Sequence, residues 1–260
     1  MSDVEAFRAL HVPGKPLVLY NIWDPGSAKA VAAAGAPALA TGSYGVAEAF
    51  GAGDGEKLPF ADVIANLERI VAVVDVPVSL DLEAGYGGDP ETVRASVQAA
   101  RNAGAVGINM EDRLPGDPSP LPVEAAAERF AAAAATGLFV NARCDLFWQS
   151  APTEALVAGT IARAHAYAAA GASGLFVPFL TDRAVVRTIC EASPLPINVT
   201  AKPELGTLAE IAALGVARIS YGHQPWLWAM QKLTADAEAI YGGPILAHFR
   251  RSAGGPHGKS

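Results

Sequence analysis

Cysteine is scarce in this chain. Its 260 residues contain two, Cys144 and Cys190, too few for a disulfide framework or a cysteine-based zinc site. Charge is thin as well, at 17% of residues, and 19 Lys plus Arg against 26 Asp plus Glu leave a formal net charge of −7. An acidic chain lacks the basic surface that meets phosphates, so nucleic acid is not an expected partner. No apolar run reaches the roughly 18 residues of a membrane span, and the most alanine-rich stretch, 125–136, is interrupted by Glu128 and Arg129. The opening MSDVEAFRALHVPGKP has no basic n-region and no apolar h-region, so the expectation is a cytoplasmic protein without a membrane partner. Linkers, charge blocks and low-complexity segments are missing too. What is abundant is apolar: hydrophobic residues make up 51% of the chain, enough to bury a large core.

Eight short apolar runs read as strands: 17–22, 37–41, 77–82, 105–110, 138–143, 174–178, 195–200 and 216–221. They are near-continuous rather than alternating, as parallel strands buried on both faces require. Helix candidates lie between and after them, near 26–34, 60–74, 90–103, 123–135, 153–170, 181–192, 205–214 and 225–241. Asp89-Pro90-Glu91 supplies a cap, a proline at the first helical position and an acid in the first turn; Thr153 and Thr181-Asp182 are further caps. Eight units over 260 residues come to about 32 residues each, close to the ~30 of a βαβ unit. The predicted fold is α/β, a closed (β/α)8 TIM-type barrel of parallel strands. One domain spans residues 1–250, and 251–260 form a flexible tail.

In such a barrel the active site lies at the C-terminal strand ends. Polar residues collect there: Thr41 to Gly45 after the second run, Asp81 and Glu83 after the third, Glu111 and Asp112 after the fourth, Arg143 and Asp145 after the fifth. Asn198 lies on the seventh run, and His223 follows the eighth. Asp81 and Glu83 are two apart, which on a strand points them to one face. With Glu111 they make three carboxylates at one mouth, which repel unless a cation joins them. Oxygen-only ligands suit Mg2+, with Mn2+ as the alternative. Arg143 offers a fixed positive fork to a carboxylate or a developing enolate; the plainer reading is an ion pair with Glu111 or Asp145. The glycines of 51–55 and around Tyr86 match no dinucleotide or phosphate loop, and Gly258-Lys259-Ser260 lacks the glycine and helix of a P-loop.

These segments resemble the isocitrate lyase/phosphoenolpyruvate mutase superfamily, over about residues 17–240. SLDLEAGYGG stands for the family's D-x-D-x-G-[YF]-G, NMED for its [IL]-E-D, and NARCDLF for its A-R-[TV]-[DE]-A-[FL]. WDPGSAKA resembles its opening D-x-x-S-A. The resemblance implies a barrel whose last helix is exchanged with a neighbouring subunit in a dimer of dimers. It implies Mg2+ bound at Asp81, with Glu83 and Glu111 holding it directly or through water. The implied substrate is a small 2-oxo or 2-hydroxy di- or tricarboxylic acid cleaved or decarboxylated through an enolate. Its carboxylate would rest on backbone N–H groups around Gly42, Ser43 and Tyr44. Arg143 would stabilise the enolate, Asp54 matches an acid on a gating loop, and Asn198 matches a substrate-contacting Asn.

The sequence also departs from that pattern. Residues 113–122 carry no Cys, His or Lys where the family's lyases have K-[KR]-C-G-H, so isocitrate and methylisocitrate cleavage are not expected. The mutases and phosphonopyruvate hydrolases have a longer loop there, with an Asn, and a His after the sixth strand, where this chain has Phe176-Val177-Pro178-Phe179. Glu83 replaces the usual second Asp, and Gly42 a frequent Ser. Cys144, adjacent to Arg143, should point the opposite way, to the helix layer, as a buried thiol rather than a substitute acid; Cys190 reads as helix packing. His223 is a general acid or base, a contact for a distal carboxylate, or a loop histidine without a role. Tyr44 and Tyr86 each carry a proton to give, though packing under the glycine turn is the plainer role for Tyr86. Trp226 and Trp228 are buried between subunits or within one. Two rival functions stay open: cleavage or rearrangement of a phosphonopyruvate-type C–P bond, and a carboxylate-binding protein without turnover.

Overall fold

The structure is a computed structural model that describes residues 3–242. The eight apolar runs become eight parallel strands: β1 Leu17–Leu19, β2 Leu39–Ala40, β3 Val78–Asp81, β4 Gly107–Glu111, β5 Phe139–Arg143, β6 Gly174–Val177, β7 Ile197–Thr200 and β8 Arg218–Ser220. Each pairs with its neighbour in sequence except β1, which pairs with β8. A parallel bridge between Ile22 and Thr41 joins β1 to β2 and closes the barrel. The strands are shorter than the apolar runs, and six of the eight start one or two residues later than the run.

Around the strands lie α1 Asp3–Ala9, α2 Pro25–Ala33, α3 Ser43–Ala49, α4 Phe60–Val71, α5 Pro90–Asn102, α6 Val123–Ala134, α7 Glu154–Ala169, α8 Arg183–Ala192 and α9 Leu208–Ala212. Asp89, Thr153 and Asp182 accept from first-turn N–H groups as expected, and Asp24 and Thr207 each close a full capping box. The expected helix over 205–214 is instead a 3-10 turn, Pro203–Leu205, followed by α9. Gly206 at φ 90° separates them, and Thr207 starts the helix afresh. Residues 43–49, outside the helix candidates read from sequence, form α3.

The barrel belongs to a compact unit that ends at His223; residues from Gln224 form a second unit, whose described part is the helix α10, Gln224–Tyr241. On it Trp228, Leu233 and Ile240 are exposed. No described helix is long and apolar enough to cross a membrane. The tail expected at 251–260 lies outside the described residues.

Inside the barrel the lower lumen is apolar and the upper lumen polar. Phe7 of α1 packs with Leu17, Leu19, Ala38, Ala40 and Phe139 in a cluster separate from the main core. Phe139 has room because Gly107, its partner on β4, and Gly174, at the start of β6, carry no side chain. A Cβ at Gly107 would meet Phe139 O at 2.9 Å and Phe7 at 3.1 Å, and one at Gly174 would meet the Phe139 ring at 3.4 Å.

His11 seals this end. Its ring stacks on Phe139 at 4.2 Å between centroids, Nδ1–H donates to Phe7 O at 3.0 Å, and Nε2 is buried without a partner. Burial first, then the charge of Arg218, pushes its pKa down to about 3 from 6.5. The unfolded chain therefore takes this proton first as pH falls, and stability is lost from pH 6.5 toward 3. The expected result is that His11→Phe removes about 1.4 kcal/mol of acid destabilisation per pH unit below 6.5. Urea unfolding of parent and variant between pH 7 and 4 measures it; parallel curves would show that His11 does not titrate.

Candidate active site

The third strand carries the central acid. Asp81 closes β3 facing the lumen, and both its oxygens already have donors: Oδ1 takes Asn109 Nδ2 and Oδ2 takes the Ser43 N–H, each at 3.1 Å. Asn109 is held by Asn141 Nδ2 at 3.0 Å. Thr41 Oγ1 accepts the Asp81 N–H at 2.8 Å, so β2, β3 and β4 together fix the carboxylate.

Glu83 is placed differently from the sequence expectation. The strand ends at Asp81, so the two-residue alternation no longer applies two positions on, and Glu83 adopts φ 50°. Its Oε2 accepts the N–H groups of Gly55 and Glu56 at 2.8 and 2.7 Å, and its Oε1 takes the Tyr86 hydroxyl at 3.0 Å. Glu56 Oε1 returns a bond to the Tyr86 N–H at 2.8 Å. Glu83 therefore latches the loop that carries Asp54. Glu56, Glu83 and Tyr86 are three of four non-glycine residues with positive φ among the described residues, and the strain is concentrated in this latch. Burial, then the charges of Asp81 and Asp54, raises the Glu83 pKa to about 7 against the pull of its hydrogen bonds. Tyr86 spends its hydroxyl in the latch, and burial and Glu83 raise its pKa, so its proton stays put.

Glu111 and Arg143 face each other in register at the ends of β4 and β5. Arg143 Nη1 lies 2.5 Å from Glu111 Oε1, and its Nε and Nη2 bind Asp145 bidentately at 2.7 and 3.0 Å. Arg143 is thus ion-paired, as the plainer sequence reading has it, and it also lines the central cavity. Burial pushes the Glu111 carboxyl above its usual range, with Arg143 opposing. Arg113, the first residue of the short loop, reaches Asp145 at 3.2 Å and lies over the Trp148 ring at 4.5 Å. Trp148 packs edge-on to Phe179, over which Arg143 sits at 5.5 Å.

Asp112 and Cys144 point outward into the helix layer, as their parity requires. Asp112 is fully buried, taking Arg163 Nη1 at 3.0 Å and the Tyr167 hydroxyl at 2.7 Å. Its other oxygen takes the Asp145 N–H at 3.0 Å. Cys144 is buried and its thiol pKa is raised by burial, so it is not a substitute acid. Cys190 is likewise pushed up, to about 12.

The cavity at the mouth has a volume of about 280 Å³. Of the expected residues, Gly42, Ser43, Tyr44, Asp54, Asp81, Arg143 and His223 line it, whereas Glu83, Glu111 and Asn198 do not. Asn198 is 1% exposed and binds Ser220, which lines the cavity, so it stands one layer behind it. The expected backbone cradle is partly spent: the Gly42 N–H donates to Ile22 O at 2.9 Å and the Ser43 N–H to Asp81. Gly42 is there for space, since a Cβ would meet Asn21 and Gly222 O at 3.3 Å. Tyr44 and His223 pack ring to ring at 5.6 Å. Burial and the charge of Lys202 lower the His223 pKa, so the imidazole is neutral at pH 7. Partial burial and Asp81 raise the Asp54 carboxyl.

Sequence reasoning missed Lys202, Arg218, Asn21 and Trp148, which also line the cavity. Arg218 was legible in principle: a charged residue inside an apolar strand run signals a polar lumen.

Among the described residues no three His, Cys, Asp or Glu side chains stand together as a metal cage. A hydrated divalent cation needs only one or two protein carboxylates. Asp81 and Asp54 both line the cavity, and the charge of Asp81 raises the pKa of Asp54, Glu83 and Glu111 alike. That crowding of like charge fits a cation held by Asp81.

An eight-stranded parallel barrel with these acids and an arginine at its mouth defines a member of the isocitrate lyase/phosphoenolpyruvate mutase superfamily. More narrowly, the chain belongs to the phosphoenolpyruvate phosphomutase family, whose model matches residues 7–241. A phosphonomutase-like protein from Burkholderia cenocepacia J2315 has a crystal structure with TM-score 0.88 and 49% identity, covering 91% of this chain and 99% of that one. An oxaloacetate decarboxylase from Paraburkholderia xenovorans (strain LB400) is 28% identical over 90% of this chain and 80% of its own. A 2-methylisocitrate lyase from Escherichia coli (strain K12) is 29% identical over 92% and 83%. The structure of phosphonopyruvate hydrolase with oxalate and Mg++ shares the fold, with TM-score 0.82 and 24% identity over 94% and 89%. The relatives named for an activity thus include lyases and decarboxylases.

Proposed function

We propose that this protein is a divalent-cation-dependent lyase or decarboxylase. It acts on a small 2-oxo or 2-hydroxy di- or tricarboxylic acid and breaks a bond beta to the carbonyl. The observation that carries this reading is that the carboxylates of Asp81 and Asp54 and the guanidinium of Arg143 face one small cavity at the strand ends. Asp81 would hold Mg2+, with Mn2+ as the alternative. The bound cation supplies Lewis acidity where negative charge develops on the substrate oxygen.

Arg143, fixed by Asp145 and Glu111, offers a preorganised positive charge to the enolate without moving. The loop bearing Asp54, tied down by Glu83, excludes water from the reactive intermediate. The Tyr44 and His223 pair on the cavity wall is the route by which a proton reaches the carbon left by the broken bond. We further propose a homo-oligomer, a dimer of dimers, with the exposed apolar residues of α10 as the surface exchanged between subunits.

A thermal-shift screen of 2-oxo and 2-hydroxy acids, each with Mg2+ and with EDTA, tests the reading. A ligand at a hundred times its Kd adds about 2.7 kcal/mol of stability. The expected hits need Mg2+ and vanish in Asp81→Ala; hits unchanged by EDTA or by Asp81→Ala would reject the metal assignment. The 49% likeness to a phosphonomutase-like protein favours a second reading, C–P bond chemistry. Phosphonopyruvate in the same screen decides between them, with release of phosphate as the readout for cleavage and formation of phosphoenolpyruvate as the readout for rearrangement.

A further inference from the structure

The barrel lumen holds a charge that neither the fold nor the chemistry above uses. Arg218 opens β8, in register with Asn198 of β7 on one side and Leu17 of β1 on the other. It is 3% exposed. Its Nε–H donates to Ser220 Oγ at 3.3 Å, and Nη1 is buried without a partner. None of the ion pairs among the described residues involves it. Burial lowers its pKa to about 10, with the charge of Asp81 opposing, so it stays charged at neutral pH.

Two other buried arginines have carboxylate partners: Arg143 has Glu111 and Asp145, and Arg163 has Asp112. Arg129 also has no ion pair among the described residues, with Nε and Nη1 unpartnered, but its Nη2 donates to the carbonyls of Ala84 and Gly87 and it does not line the cavity. An unpaired guanidinium away from water is costly, and the usual remedy is an anion. Arg218 faces the open cavity rather than solid protein. Its planar fork matches a carboxylate bidentately. Ser220 and Asn198, bonded to each other at its side, hold the guanidinium in place.

Its depth sets what it can meet. Glu111, Arg143, Phe176, Asn198 and Arg218 form one register row across five strands. The row starts at the last residues of β4 and β5 and ends at the first residue of β8. Arg143 therefore sits at the mouth and Arg218 at the cavity's inner end. We propose that Arg218 is the receptor for a second carboxylate of the substrate, the one remote from the bond that breaks. The acid then lies along the lumen, with its reacting end at Asp81 and Arg143 and its remote carboxylate inward. This inference rests on reading the site as one for small 2-oxo or 2-hydroxy acids.

Malate and 2-hydroxybutyrate differ only in a terminal carboxylate against a methyl, and both are probed by calorimetry in Mg2+ buffer. The parent should bind malate about tenfold tighter or more, the worth of a charge-assisted bond. Arg218→Met should bind the two alike with 2-hydroxybutyrate affinity retained, and Arg218→Lys should restore part of the preference. Without ligand, Arg218→Met should melt above the parent, because a buried unpaired charge is gone. A malate preference that survives in Arg218→Met overturns the proposal and moves the subsite to Lys202 or His223. Turnover of a 2-oxo acid with no such preference in the parent overturns it while leaving the proposed function standing. The preference without turnover of any acid upholds the subsite and rejects the lyase reading. No binding of either acid rejects both.

Discussion

Arg143→Ala is expected to lose turnover by at least about 10³-fold and to lose stability as well. The rate loss follows from removing the charge aimed at the developing oxyanion. The stability loss follows from what remains: Glu111, its side chain 15% exposed, without a cation, and Asp145, 0% exposed, with Arg113 alone. Removing one partner of a buried pair costs about 3–5 kcal/mol. Arg143→Lys separates the two effects. A lysine restores a charge, and with it much of the stability, but a point charge cannot bind Asp145 bidentately and face the cavity as well. Steady-state kinetics and urea unfolding on both variants measure this. A lysine variant with near-parental kcat would show that charge alone, not the fork, is needed.

The second large effect lies behind the site. Arg163→Met should destabilise the protein by about 3–5 kcal/mol, because Asp112, fully buried, keeps only the Tyr167 hydroxyl and the Asp145 N–H. The activity of the folded variant should fall too, through geometry. Asp112 holds the Asp145 backbone, and Asp145 holds the Arg143 guanidinium. Replacing both charges together, Asp112→Asn with Arg163→Met, should recover part of the stability, since no lone buried charge is left. A single Arg163→Met with parental unfolding would mean that Asp112 is neutral in the folded state.

The barrel was legible because parallel strands covered by helices must be apolar on both faces, and eight such runs recur along the chain. The helix starts were legible from local chemistry at Asp89, Thr153 and Asp182. Residues 43–49 escaped because a helix of about two turns carries too little periodicity to read. Asp81 and Arg143 were legible as mouth residues, since alternation holds up to the last strand residue. Glu83 was not, because alternation ends with the strand, and a residue at φ 50° points where the turn sends it. Asp112 looked like a mouth acid from its place in NMED, yet its parity turns it into the helix layer to meet Arg163, 51 residues on.

The order of strands and helices, the end of the barrel that carries the chemistry, and the acids and arginine that gather there are set by the sequence pattern alone. Each depends on local periodicity and on a rule of parallel sheets. Tertiary structure alone decided the partners: that Glu83 serves a loop rather than the cavity, that Arg143 is clamped from two sides, and that Arg218 is left without an anion. Pairing depends on barrel stagger, which sets residues far apart in the chain side by side, and no local pattern encodes that distance.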